Sequence, residues 1–223
     1  MNVSDAINSR ITTRAFLEKP VSGEVLRAIL ETAKRAPSGG NLQPWHVWVL
    51  GGDEMVRFKA IIKEKVAASP RGEGTEYQIY PPELKEPYKA RRFKCGEDMY
   101  ATIKVSREDK FGRLLNFARN FEFFGAPAAY FFAIDRQMQE GQWADLGMFM
   151  QSIMLLAREH GLHTCPQEAW AIWYKTVGEF FSIPGELMLF CGMGIGYMDE
   201  THPINTLRTD RAPLSEFATF VGI

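Results

Sequence analysis

The segment Arg10-Ile11-Thr12-Thr13-Arg14 sets two guanidinium groups four residues apart with hydroxyls between them. Arginine forks meet phosphate oxygens in pairs and a threonine hydroxyl adds a donor, so the segment suits a phosphomonoester. Taken alone, it fits a solvated helix end as well. Arg208 and Arg211, ahead of Ala212-Pro213-Leu214, form a second basic pair with no acidic residue four positions away. By itself that pair reads as surface charge.

Two further segments carry donors and acceptors suited to a flat heterocycle. In Ala36-Pro37-Ser38-Gly39-Gly40-Asn41-Leu42-Gln43-Pro44-Trp45, the glycines expose backbone N–H groups while Asn41 and Gln43 supply amides. The loop is neither GxGxxG nor GxxxxGK[ST], so it is not a dinucleotide fingerprint or a P-loop. Thr164-Cys165-Pro166-Gln167-Glu168-Ala169-Trp170 contains a proline that stiffens a connector and aims a backbone N–H.

Other chemistry finds little support. His160, His163 and Cys165 lack a fourth ligand, which argues against a metal centre. Cys165 has only His163 nearby to activate it, and His46 reads as a core residue of an apolar strand. No GxSxG elbow is present.

The elements that must hold these groups follow from periodicity. Ser22 caps a helix with Val25, Leu26, Ile29, Leu30 and Ala33 on one face, ended by Pro37. Trp45 to Leu50 and Ala128 to Ile134 read as buried strands, with Asp53 capping the helix after the first. Helices are expected around Leu114 to Phe123, Trp143 to His160 and Ile172 to Phe181; the second is apolar on most sides and closes on Gly161. Leu187 to Tyr197 is the last strand, and Gly192, Gly194 and Gly196 share one of its faces, inviting another backbone or a flat ligand. From Ser69 to Gly112, prolines, charges and scattered tyrosines give no sustained period, as in a long excursion or lid. Its Tyr77, Tyr80, Tyr88, Arg91 and Arg92 could touch a substrate, or simply belong to a solvated loop.

Strands separated by helices without βαβ regularity indicate an α+β fold, read as a single domain over residues 1–223. With 26 basic and 27 acidic residues the net charge is −1, so no footprint points to nucleic acid or an anionic membrane. No run is apolar for the length of a bilayer, and three unpaired-looking cysteines suit a reducing compartment, so a soluble, cytoplasmic protein is expected. The apolar tail, with Leu214, Phe217, Phe220 and Val221, must fold back or wrap a second subunit.

In order along the chain, Ser9-Arg10 through Arg14-Ala15-Phe16, the Ala36–Trp45 loop, Phe124-Gly125-Ala126-Pro127, the Gly161-Leu162 turn into Cys165–Ala169, and Gly192–Tyr197 leading to Arg208 and Arg211 resemble the FMN-dependent nitroreductase family. The resemblance implies a mainly antiparallel sheet flanked by helices, in a homodimer that joins through its long central helix and exchanges C-terminal arms. One FMN per subunit would lie between subunits, its phosphate held by Arg10, Thr12, Arg14, Arg208 and Arg211. Ser38, Gly39, Asn41 and Gln43 would line its phosphate, ribityl and ring side. Pro166, Gln167, Glu168 and Ala169 would pass over the ring, with an N–H near N5. No catalytic side chain is required, because the flavin carries the chemistry.

The implied activity is ping-pong hydride transfer through flavin N5, from NADH or NADPH to a small aromatic acceptor such as a nitroarene or quinone. Alternatives on the same fold are a reductive dehalogenase, a dehydrogenase, or a non-catalytic FMN-storing or FMN-sensing protein. Thr12 stands where relatives often have Ser, Ala169 where they have Gly, and arginine where the C-terminal basic pair often includes Lys.

Overall fold

The computed structural model describes residues 1–223. Strands β1 (Trp45–Gly51), β2 (Ala128–Asp135), β3 (His163–Gln167) and β4 (Leu187–Gly196) form one sheet in the order β1-β2-β4-β3. Every neighbouring pair is antiparallel, with Trp45 opposite Ile134 and Gln167 opposite Gly192. The α+β expectation therefore holds, and the sheet is wholly antiparallel.

Seven α-helices accompany it: α1 (Val3–Ser9), α2 (Gly23–Ala33), α3 (Gly52–Ala68), α4 (Tyr88–Thr102), α5 (Lys110–Ala118), α6 (Glu140–Glu159) and α7 (Tyr174–Phe181). The Ser22 hydroxyl accepts the Val25 N–H and starts α2 as its sequence requires. The α6 helix closes on Gly161 at φ +70°, where a side chain would be strained. No helix is long and apolar enough to cross a membrane.

The sheet separates two cores. On one face, Leu26, Ile29 and Ala33 of α2 and Leu146, Phe149 and Ile153 of α6 pack on Tyr130, Phe132 and Ile195. On the other, Phe58 and Ile62 of α3 and Val177 of α7 meet Phe123, Phe131 and Trp170. Because β2 is covered on both sides, it reads as a continuous apolar run.

Several local expectations change. The helix after β1 is capped by Gly51, and Asp53 lies in its first turn. Residues 119–125 form a 3-10 segment after α5, so the expected helix at 114–123 starts and ends earlier. Another 3-10 segment, Glu168–Trp173, precedes α7. The stretch 69–112 contains α4, which buries no residue and so leaves no apolar stripe to be read. His46 is exposed rather than a core residue, and β1, expected as a buried strand, buries only Leu50 because it lies at the sheet edge, paired with β2 alone. The glycine face of β4 is filled by protein: a Cβ on Gly192 would stand 2.3 Å from Trp170 Cδ1, and one on Gly196 2.6 Å from Pro127 Cδ. A flat ligand has no room there.

Candidate functional site

The connector expected at Thr164–Trp170 is in fact divided between the edge strand β3, to Gln167, and the 3-10 segment from Glu168, and β3 organises the site. On its outer side the N-terminal segment lies alongside: Thr12 bridges Thr164, and the Thr13 N–H donates to the Thr164 carbonyl at 3.0 Å. Proline is tolerated at such an edge because Pro166 need not donate to a further strand. Arg10 and Arg14 are thereby fixed beside β3, and Arg14 lies near enough to Cys165 to act on its thiol.

The C-terminal basic segment reaches the same place through Asn205, which the sequence reading missed. Its Oδ1 accepts the Arg14 N–H at 2.8 Å, while its Nδ2 donates to the carbonyls of Ala15 and Asp199, each at 2.9 Å. The Asn205 carbonyl in turn accepts from Arg208 Nη1 at 2.9 Å. Arg10 sits below its ordinary pKa, first through burial and second through the Arg211 charge. Guanidinium groups from the two ends of the chain therefore share one neighbourhood.

None of Arg10, Arg14, Arg208 or Arg211 forms an ion pair with a carboxylate. Arg208 and Arg211 bond to nearby oxygens of their own segment, and Arg14 Nη1 makes only a 3.5 Å contact to the Thr12 carbonyl. Arg158 adds to the positive field, donating to Leu162 O at 2.8 Å and lying 2.6 Å from His163 Nε2. Burial, then Arg158 and Arg208, push the His163 pKa down to about 4. This histidine is neutral at physiological pH, with Nε2 as its acceptor.

At the C-terminal end of β3, Pro166, Gln167, Glu168 and Ala169 line a cavity of about 590 Å³ shared with Tyr80, Asn120, Met150 and Phe190. Gln167 is 3% exposed; its Nε2 donates to the Asn120 carbonyl at 2.8 Å and to Asn120 Oδ1 at 3.2 Å, while its Oε1 has no partner. Asn120 is a second polar residue the sequence did not single out. Burial raises the Glu168 pKa. Tyr77 Oη donates to the Phe190 carbonyl at 2.5 Å, fixing one residue of the lid stretch over the sheet.

The cysteines offer no nucleophile within this site. Cys165 and Cys191 are buried, and burial pushes the Cys165 thiol up to about 12. A thiolate there is unavailable at neutral pH.

The Ser38–Gln43 loop stands apart from this cavity within one chain. The Gly39 N–H donates to Asp145 Oδ2 of α6 at 3.1 Å, and the Gln43 N–H to the Ser38 hydroxyl at 3.0 Å. Gln43 Nε2 is turned onto the Asn41 carbonyl at 3.2 Å, so that amide is spent locally. Gly40, Asn41 and Gln43 have φ of 58°, 57° and 51°. Two non-glycine residues in that region mark a strained, over-determined loop. The cavity takes Gly147, Met150 and Met154 from α6, whereas the loop grips Asp145. Asp145 and Gly147 are about 200° apart around a helix, so loop and cavity occupy opposite sides of α6.

The nitroreductase family model matches residues 7–197. The chain is 36% identical over 220 residues to a chloronitrobenzene nitroreductase of Comamonas testosteroni, covering 98% of this chain and 96% of that one. It is 34% identical over 219 residues to a 4-nitrobenzoate reductase of Pseudomonas putida, covering 97% and 94%. Among solved structures, the FMN- and NADPH-dependent nitroreductase NfnB from Sphigopyxis sp. strain HMH superposes with a TM-score of 0.96 at 40% identity, covering all of both chains. Ordered motifs, sheet topology and whole-length similarity agree, and the chain belongs to the nitroreductase family.

Proposed function

We propose that this chain is an FMN-dependent NAD(P)H oxidoreductase that reduces nitroaromatic and quinone-type acceptors by a ping-pong sequence. The observation that carries the reading is the meeting of Arg10 and Arg14 with Arg208 and Arg211 beside β3, none with a carboxylate partner. Clustered cations without counter-charges repel one another, and a bound dianion removes that cost. The residues present fit FMN: an arginine set with Thr12 for the phosphate, and the Pro166–Ala169 wall with an unpartnered Gln167 Oε1 for the polar ring edge. FMN supplies two-electron hydride transfer, at N5, between the nicotinamide and the acceptor.

The chain's own residues bind, orient and exclude water. Tyr80, Met150, Met154 and Phe190 give the cavity apolar walls suited to a flat, electron-poor ring, and residues 69–112 act as its lid within a single domain spanning 1–223. No side-chain acid or base is assigned. Burial raises the pKa of Glu168 at the cavity wall.

The separation of the loop from the cavity supports a homodimer. A ring touched by both Ser38–Asn41 and Pro166–Ala169 must lie between two subunits, one supplying each side of the site. The C-terminal arm supports the same arrangement, since Leu214, Phe217, Phe220 and Val221 are 60–85% exposed on their own subunit. Apolar area of that kind is buried in an assembly, here by exchange onto a partner. Free cysteines fit a cytoplasmic setting.

The test is spectroscopic. The purified protein is expected to be yellow, to bleach under anaerobic NADPH, and to recover its colour when a nitroarene is added, with parallel double-reciprocal lines in steady state. A colourless protein that takes up no FMN would sink the reading. A yellow protein bleached by neither NADH nor NADPH would indicate flavin storage or sensing.

A further inference from the structure

A second cavity, of about 600 Å³, adjoins the first within the lid stretch. Its lining includes Pro81, Glu83, Lys89, Arg92, Phe93 and Glu97. The two cavities share a wall: Tyr80 lines the first and Pro81 the second, and the Arg92 guanidinium lies 3.9 Å from the centre of the Tyr80 ring. Glu97 is occupied by two bonds from Arg113, at 2.7 and 2.8 Å. Lys89 and Arg92 form no ion pair, which leaves two cations facing this space with Glu83 as the unpaired carboxylate.

A substrate extending from the ring cavity past Tyr80 would therefore meet two cations without carboxylate partners, one of them stacked on the Tyr80 ring. Under the proposed function, the reductant has that form, with a nicotinamide at one end and an adenosine at the other. NADPH differs from NADH by one phosphate on the adenosine ribose. We infer that Lys89 and Arg92 bind the 2′-phosphate of NADPH, and that this second cavity selects NADPH over NADH. Phe93, 51% exposed and with Arg107 over one face, offers its other face for the adenine, and Glu83 an acceptor for sugar hydroxyls. The arginine gives the phosphate a fork and the lysine a point charge. The inference rests on the functional reading above, but the nucleotide-binding part can be tested without turnover.

The probes are 2′,5′-ADP, which carries the extra phosphate, and 5′-AMP, which does not. Calorimetric titration of the FMN-loaded protein is expected to show 2′,5′-ADP binding at least about tenfold more tightly, with the difference shrinking as salt is raised. Arg92→Ala and Lys89→Ala are expected to erase most of that difference and to lower the NADPH-to-NADH ratio of kcat/KM by about tenfold, while Arg92→Lys retains part of it. Both positions are exposed, so folding is not at stake.

Equal affinity for the two probes, or an unchanged ratio in both alanine variants, overturns the inference. So does an Arg92→Ala variant that loses efficiency for 4-nitrobenzoate relative to nitrobenzene while keeping its nucleotide ratio, because Arg92 would then read the acceptor. A protein that prefers 2′,5′-ADP yet oxidises neither dinucleotide upholds the phosphate site and overturns the functional reading instead.

Discussion

The carboxamide of Asn205 accepts the backbone N–H of Arg14 at 2.8 Å across 191 positions of sequence. Its two other bonds, to the Ala15 and Asp199 carbonyls, make it a buried clamp between the chain's ends. Asn205→Ala leaves the Arg14 N–H without a partner and takes one of two bonds from each carbonyl, Ala15 O keeping the Asp199 N–H at 3.0 Å and Asp199 O the His202 N–H at 3.4 Å; an orphaned donor costs about 1 kcal/mol or more, and each lost bond somewhat less. We expect a stability loss of about 2 kcal/mol by urea denaturation, together with weaker FMN binding. Normal FMN affinity in a destabilised variant would show that the clamp serves only the fold.

The arginines themselves separate phosphate binding from ring binding. Arg10→Ala and Arg208→Ala should each weaken FMN at least about tenfold, since a charge-assisted bond contributes about 1.5–3 kcal/mol. Riboflavin, which has no phosphate, should bind the variants and the parent alike in a fluorescence titration. Equal FMN affinity in parent and both variants would remove the phosphate assignment.

His163 makes stability depend on pH. Its folded pKa of about 4 lies below the ordinary 6.5, so below pH 6.5 the unfolded chain takes up a proton that the folded one refuses. Stability contributed by this residue is therefore intact above pH 6.5 and falls as pH drops toward 4. His163→Gln keeps an acceptor for Arg158 and has nothing to protonate, so its unfolding midpoint should vary less with pH across that window. FMN should also reduce the slope, because its phosphate offsets Arg158 and Arg208. An identical pH profile in His163→Gln would place the titration elsewhere.

How far the sequence reached depended on whether a neighbour left a pattern. The strands β2 and β4 and the helix α6 are apolar runs whose burial is written into their composition, whereas β1 was legible as a strand but not as an edge. By contrast β3, His163-Thr164-Cys165-Pro166-Gln167, has neither alternation nor a β-branched run. It is a strand because β4 and Thr12-Thr13 hold it from either side. The α4 helix escaped notice because it buries nothing; ion pairs such as Lys94 with Asp210 at 2.9 Å help hold it on the surface. The arginines and the Pro166–Ala169 wall were legible as motifs. Asn120 and Asn205 are lone amides whose importance lies in long-range partners, and no local spacing announces them.

Close packing on the glycine face of β4 gives a contrast between two similar substitutions. Gly192→Ala drives a Cβ to 2.3 Å from Trp170 Cδ1, with Phe123 stacked on the same indole at 4.6 Å, so the tryptophan has little freedom to yield. Overpacking of this kind costs about 1–3 kcal/mol. Gly178→Ala, on α7 with nothing within 4 Å, should be neutral or stabilising by up to about 1 kcal/mol from helix propensity. Thermal unfolding of the two variants should therefore move in opposite directions or differ clearly in size. Equal midpoints would mean that Trp170 gives way more readily than its packing indicates.

The tail provides the test of assembly. Residues 214–223 bury nothing on their own subunit, and β1, at one end of the sheet, is paired on one side only and exposes Val49 at 45%. A partner's apolar arm can cover such an edge, which would otherwise remain open to non-specific pairing. Removing 214–223 should therefore leave the monomer fold intact by circular dichroism while shifting sedimentation toward monomer at micromolar concentration. FMN affinity should fall with it, because the Ser38–Asn41 side of the ring site comes from the second subunit in the proposed arrangement. Truncated protein that stays dimeric with undiminished FMN binding would mean that α6 alone joins the subunits and that the arm is dispensable.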